Sequence, residues 1–408
     1  MSLRILHTAD WHLGKRLDHF SRLEEQRQVL EEICVIADAQ QVDAVIVAGD
    51  LFDVFNPPVE AVELLYKTLK RLTAQGKRPV IAIAGNHDSP DRIDAPDALA
   101  LECGIVFVGY PQAVLRPISI DGGFRITKTD CGFLEILCPN SSIPLRVITT
   151  PYANELRLKT YLGATDKEVQ MNQLLHESWT QLADEYCDDQ GVNILTTHLY
   201  MLKRGGELLE EPDGEKPLKV GNADLIYSDS IPPQIQYTAL GHLHRYQNIG
   251  GHQNPVVYSS SPLCYSFAEA GQQKQVVLIE AEPGKAVAYR PIGLTAGRPL
   301  YRKKFDDIDA AVTWLLAHPY TLVELTISSD TFLATKDLKR LYDSHDGIIH
   351  LIPVVNKQQE NQESKITINL EQNRAGLFVD YFMSKHKQAP NEELLNLFRE
   401  ITGQQNEL

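Results

Sequence analysis

Five short apolar runs in this chain each lead directly into Asp, Asn or His residues. Ile5-Leu6 precedes Asp10-Trp11-His12, Ala44-Val45-Ile46-Val47-Ala48 precedes Gly49-Asp50, and Val80-Ile81-Ala82-Ile83-Ala84 precedes Gly85-Asn86-His87-Asp88. Further on, Val192-Asn193-Ile194-Leu195 leads into Thr197-His198, and Tyr237-Thr238-Ala239-Leu240 into Gly241-His242-Leu243-His244. Runs of this length read as buried strands. Strands interleaved with helical patterns form a parallel sheet, and the residues just past each strand collect at the sheet's carboxyl edge. The chain is thereby held to an α/β architecture with one polar edge.

The residue types at that edge suit metal ions. A pair of cations ~3.5–4 Å apart needs an anionic ligand that touches both, and Asp50 is the natural bridge. Asp10 and His12 sit on alternate positions of one strand end and point the same way. With His244 they would hold one cation. Asn86, His198 and His242 would hold the second, together with Asp50. Oxygen and imidazole donors without thiolate favour manganese, iron or magnesium over a structural zinc cage. His87 comes directly after a ligand and is placed to act as a general acid or as a cation beside the reacting phosphate. Asp88 is a candidate to orient its imidazole. A lone Asp-x-His or Gly-Asp is an ordinary strand exit. Gly-Asn-His-Asp is rarer, because polar residues after a buried strand have no packing purpose, and the ordered set is more specific still. His7 and His350 lie in apolar strand-like runs and read as structural histidines.

In this order the motifs resemble the calcineurin-like metallophosphoesterase superfamily. The segments "ILHTADWHLGKRL", "VDAVIVAGDLFD", "IAGNHDSPDRI" and "YTALGHLHRYQ" resemble the SbcD family of bacterial nuclease subunits more closely. That resemblance is strong over roughly the first 290 residues and looser beyond. It implies a two-sheet α/β (α+β sandwich) core and a manganese-dependent DNA exonuclease and endonuclease working in DNA repair and hairpin processing. It also implies an SMC-like ATPase partner, SbcC, and a two-fold dimer formed by helices of the first domain. One position departs from the pattern: some relatives carry a histidine three residues after the bridging aspartate, where this chain has Asp53, so no role of that histidine carries over.

Length agrees, since 408 residues exceed the usual size of one core. No apolar stretch approaches a membrane span, and no signal peptide is read at the start, so the cytoplasm is expected. Six scattered cysteines without Cys-x-x-Cys spacing fit a reducing compartment. The net charge of −15 runs against nucleic-acid binding by bulk electrostatics. Two divalent cations at the phosphate site, and contacts supplied by a partner, would offset it.

The chain divides into four parts. Residues 1–292 form the core domain, opening with strand 4–8, helix 23–40, strand 43–48, helix 58–75, strand 79–84, helix 94–102 and strand 105–108. A polar loop at 203–221 is expected over the site. Residues 293–356 give an alternating strand–helix pattern, a small α+β cap that in the resembling family is a DNA-recognition domain. Residues 357–374 are rich in Gln, Asn and Glu and read as a linker. Residues 375–408 carry two amphipathic segments, Leu377-Phe378-Tyr381-Phe382-Met383 and Leu394-Leu395-Leu397-Phe398-Ile401, expected to dock on the ATPase. The alternative function is a stand-alone phosphodiesterase for a small ester such as a cyclic nucleotide. It leaves residues 300–408 without a purpose.

Overall fold

Strict alternation of two apolar faces builds the first sheet. In the strands Leu3–Thr8, Ala44–Ala48, Val80–Ile83 and Ile105–Val108, the side chains of Leu6, Val45, Val47, Val80 and Ala82 face one way, and Ile5, Ile46, Ile81 and Ile83 face the other. Strands that are apolar on both faces belong in the interior of a layered fold. These four run parallel, and Gln275–Ala281 and Ala288–Gly293 extend the sheet antiparallel beyond Leu3–Thr8. The structure is a computed structural model describing residues 2–162, 166–207, 209, 225–329, 333–355, 374–386, 390, 394, 395 and 398. Most of the loop 203–221 and of the linker 357–374 lies outside them, as do Leu397 and Ile401 of the tail.

The second sheet has eight strands in the order Gln247–Asn248, Val256–Tyr258, Tyr237–Leu240, Val192–Thr197, Pro144–Thr150, Phe133–Leu137, Arg125–Asp130 and Ile118–Ser119. Its inner strands from Pro144–Thr150 to Val256–Tyr258 are parallel. The two sheets pack face to face over Ile5, Ile46, Ile81, Leu134, Ile136, Val147, Ile194, Tyr237 and Val257. Helices Leu23–Ala39 and Val59–Leu72 cover the outer face of the first sheet, and helix Lys167–Tyr186 covers the second. This is the expected two-sheet α/β sandwich. Each fully buried Leu, Ile or Val contributes roughly 1.5–3 kcal/mol, so the layers hold by apolar burial rather than by their few cross-links.

One cross-link is polar. His7 spans the layers, its Nε2 donating to the Leu240 carbonyl at 3.1 Å and its Nδ1 accepting from Tyr237 Oη at 3.1 Å. Full burial pushes its pKa down to about 3, so it is a neutral structural histidine. The helix expected at 94–102 is two shorter ones, Pro90–Asp94 and Asp97–Glu102, because Pro96 supplies no N–H and interrupts the ladder.

Residues Met1–Val354 form one compact unit. Within it the strands Leu300–Phe305, Leu322–Ser329 and Ile348–Val355 make a small sheet covered by helices Ile308–Ala317 and Thr335–Ser344. Its own core holds Ala311, Leu315, Val323, Leu325, Ile327, Leu341 and Ile348. Its other face meets the body, where Leu17 and Phe267 pack against Leu300, Leu322 and Ile349. His350 lies between Asp18 and Glu324 at the same seam. The second unit, Val355–Leu408, contains helix Arg374–His386, on which Phe378 stacks against Phe398 at 4.2 Å between ring centroids.

Candidate metal centre

Asp10 and His12 are not on the first strand, as their spacing suggests, but on the turn beyond it. The strand ends at Thr8, and the two residues adopt φ of 55° and 44°. Their backbone runs beside the next loop, with Asp10 N donating to Gly49 O and His12 N to Asp50 O, each at 3.0 Å. Both side chains therefore turn inward on either side of buried Trp11. Asp50 (φ 49°) and His242 (φ 103°) are strained in the same sense. Such backbones cost on the order of 1–3 kcal/mol each and persist where the surroundings impose them. Glycines make room. A Cβ on Gly85 would lie 2.0 Å from Asp50 Oδ1, and one on Gly49 2.2 Å from His198 Nδ1.

The expected ligands meet. His12 Nε2 lies 3.0 Å from His244 Nε2 and 3.6 Å from Asp50 Oδ2. His198 Nε2 lies 3.2 Å from Asp50 Oδ2 and 3.0 Å from Asn86 Oδ1. His198 Nδ1 donates to the Ala48 carbonyl at 2.8 Å, so Nε2, which faces two oxygens, is the nitrogen a cation would take on displacing its proton. The His242 ring centroid is 5.6 Å from that of His198, and its backbone N donates to Asp10 Oδ1 at 2.8 Å. Among the described residues, Asp10, His12 and His244 form one group with ligand atoms within 4.8 Å of one another, and Asp10, Asp50 and His198 form another.

The charges reflect the crowding of acceptors. Burial first, then the Asp50 carboxylate, pushes Asp10 up to about 6 against the pull of His198 and His244. Burial opposes ionisation of Asp50 as well, but His198, His12 and His87 hold it far below the usual carboxylate range. Burial likewise opposes a charged His198, yet Asp50 and Asp10 lift it to about 9. Asp10 Oδ2 is buried without a hydrogen-bond partner among the described residues. A site where carboxylate oxygens and imidazole lone pairs face one another fits divalent cations. Asp10, His12 and His244 would hold one cation, Asn86, His198 and His242 the other, with Asp50 shared.

Asp88 does not orient His87. Its two oxygens accept the backbone N–H groups of Leu51 (3.0 Å), Phe52 (2.9 Å) and Gly85 (2.8 Å), which ties two ligand loops together. His87 Nδ1 instead donates to the Asp53 carbonyl at 2.7 Å, and its backbone N donates to Asp50 Oδ1 at 2.9 Å. Four residues without an expected role also shape the site. Asp53 groups with His12 and His87, and Lys15 Nζ pairs with Asp53 Oδ1 at 2.9 Å. Arg157 grips the Gly85 and Asp88 carbonyls at 2.8 and 2.7 Å. Glu269 stands behind His244. Asp53 and Lys15 lie within the first two motifs and could have been suspected from position. Arg157 and Glu269 come from segments without a motif.

Residues 3–246 match the family model described as calcineurin-like phosphoesterase. The chain belongs to the calcineurin-like phosphoesterase family. Within it, the chain is similar to proteins named as the D component of the nuclease SbcCD. The one from Bacillus subtilis (strain 168) is 34% identical over 98% of both chains. Those of Rhodobacter capsulatus and Staphylococcus epidermidis are 31% and 30% identical over 71% and 69% of this chain, covering 69% and 66% of their own. In this phosphoesterase, no helix among the described residues is long and apolar enough to cross a membrane.

Proposed function

We propose that this chain is the nuclease subunit of a DNA-processing complex, hydrolysing phosphodiester bonds at a two-manganese centre as both exonuclease and endonuclease. The observation that carries the proposal is the convergence of acceptor atoms from five strand ends, with His12, Asp50, Asn86, His198 and His244 in mutual contact. Two divalent cations held there would activate water and neutralise developing phosphate charge. Oxygen and imidazole donors without thiolate favour manganese, iron or magnesium, and manganese is the cation proposed.

The chain's own groups do the rest. Asp50 would supply a carboxylate to both cations. His87 is held by the Asp53 carbonyl through Nδ1, which leaves Nε2 to protonate the departing oxygen. Asp88 and Arg157 fix the loop that carries Asn86 and His87.

Full-length similarity to a protein named as part of SbcCD supports an SbcC-type SMC-like ATPase as partner, in the repair and recombination of DNA and the processing of hairpins. Residues 375–408 are its docking segment, with Tyr381 54% exposed on the helix Arg374–His386. Residues 293–356 act as a DNA-contacting cap. Exposed Val59 (78%) and Leu99 (73%) on helices of the core suit a two-fold homodimer, giving a heterotetramer with the ATPase. Six free cysteines suit the cytoplasm.

The test is cleavage of linear duplex and hairpin DNA, with and without the ATPase, in Mn(II) and after chelation. Manganese-dependent DNA cleavage is expected. Hydrolysis of a small ester such as bis-p-nitrophenyl phosphate, with no cleavage of any DNA by the complete complex, would overturn the proposal.

A further inference from the structure

We infer that Glu269 is a positioning residue for one metal site, holding His244 by its Nδ1 so that Nε2 faces the ligand cluster. The inference rests on the two-metal reading of the site. His244 Nδ1 lies 3.3 Å from Glu269 Oε1. The second oxygen of Glu269 takes Lys274 Nζ at 2.5 Å, and Lys274 Nζ also donates to the His244 carbonyl at 2.7 Å. One ion pair thus grips His244 at both ring and backbone. His244, Glu269 and Lys274 are 3%, 4% and 5% exposed.

A buried ion pair is seldom worth more to stability than apolar side chains of the same volume. Stability alone therefore does not account for this one. A plain reading is that the pair braces the turn, since Tyr265 N and Ser266 Oγ also approach Glu269 Oε1, each at 3.4 Å. Those neighbours are neutral donors and would be served by an amide. What a carboxylate adds is a strong acceptor for Nδ1–H. That fixes the tautomer, makes Nε2 the lone-pair nitrogen and raises its basicity as a ligand. Nε2 does face the cluster, 3.0 Å from His12 Nε2.

The experiment titrates the metal-free full-length protein with Mn(II) alone and follows binding by calorimetry and electron paramagnetic resonance. Two sites are expected in the parent. Glu269→Ala weakens one of them by roughly 10–100-fold and leaves the other unchanged. Glu269→Gln, which still accepts from Nδ1–H but without the charge, loses affinity at the same site by less than Glu269→Ala. The double variant Glu269→Ala/Lys274→Met removes the stranded ammonium and shows the same selective loss in a folded protein. Folded single and double variants that bind two Mn(II) at parental affinity would overturn the inference and reduce Glu269 to a brace. A parent that binds fewer than two Mn(II) would instead overturn the two-metal reading.

Discussion

Ser260 is buried at φ 86°, a backbone conformation in which a side chain is a burden. Its Oγ donates to the Ser261 carbonyl at 2.7 Å, and Ser261 N in turn approaches the His244 carbonyl. Relief of such strain is worth about 1 kcal/mol, more than one neutral hydrogen bond in a crowded turn. Ser260→Gly should raise the urea midpoint, and a lowered midpoint would show that the hydroxyl matters more. His7 gives a pH effect of definite sign. Its folded pKa of about 3 lies below the ordinary 6.5, so below 6.5 the unfolded chain binds a proton that the folded one refuses. Its share of stability is present above 6.5 and is lost as pH falls towards 3, by up to about 1.4 kcal/mol per pH unit. His7→Gln should flatten the fall in urea midpoint between pH 6.5 and 4.5 relative to the parent. His87→Ala should cut turnover by a factor on the order of 100 with metal content intact; unchanged turnover would remove His87 from the chemistry. The proposed ligands were legible in sequence because they come in short motifs just beyond five strands. Arg157, Glu269 and Lys274 were not, because they reach the site through tertiary contacts from stretches that carry no local pattern.

At the scale of elements, alternation and period recovered nearly every strand and helix of the first 110 residues, including Ile105–Val108 to the residue. The break at Pro96 was visible in the sequence but outweighed by the apolar stripe around it. The turn that carries Asp10 and His12 was harder. Two left-handed aspartate and histidine residues leave no mark in composition, and a strand continued by four residues, to His12, would place them on the same face. The helix Val59–Leu72 buries Leu64, Leu65, Leu69 and Leu72 yet leaves Val59 in solvent, so its stripe serves the sheet along most of its length and frees one end. Light scattering should report a dimer for the parent at tens of micromolar. Leu99→Glu should shift it towards monomer without unfolding it, since Leu99 is 73% exposed. A parent that is monomeric at that concentration would end the dimer proposal. Removing residues 376–408 should abolish co-purification with the ATPase and spare manganese-dependent cleavage. Full-affinity assembly of the truncated chain would move the interface elsewhere.

For the whole molecule, the charge of −15 is offset only locally, at the centre, and the rest of the surface stays acidic. Asp10, Asp50 and Asp88 sit at 0–1% exposure around the centre, where divalent cations would answer them. Architecture places the small sheet against the same region. The short turn Phe267–Glu269 presents Phe267 to the seam with Leu300, Leu322 and Ile349, and two residues later presents Glu269 to His244. The turn therefore joins the packing of the cap seam to the proposed ligand His244 within three residues. If the cap contacts DNA as proposed, any displacement at that seam would reach His244 through a single turn of backbone.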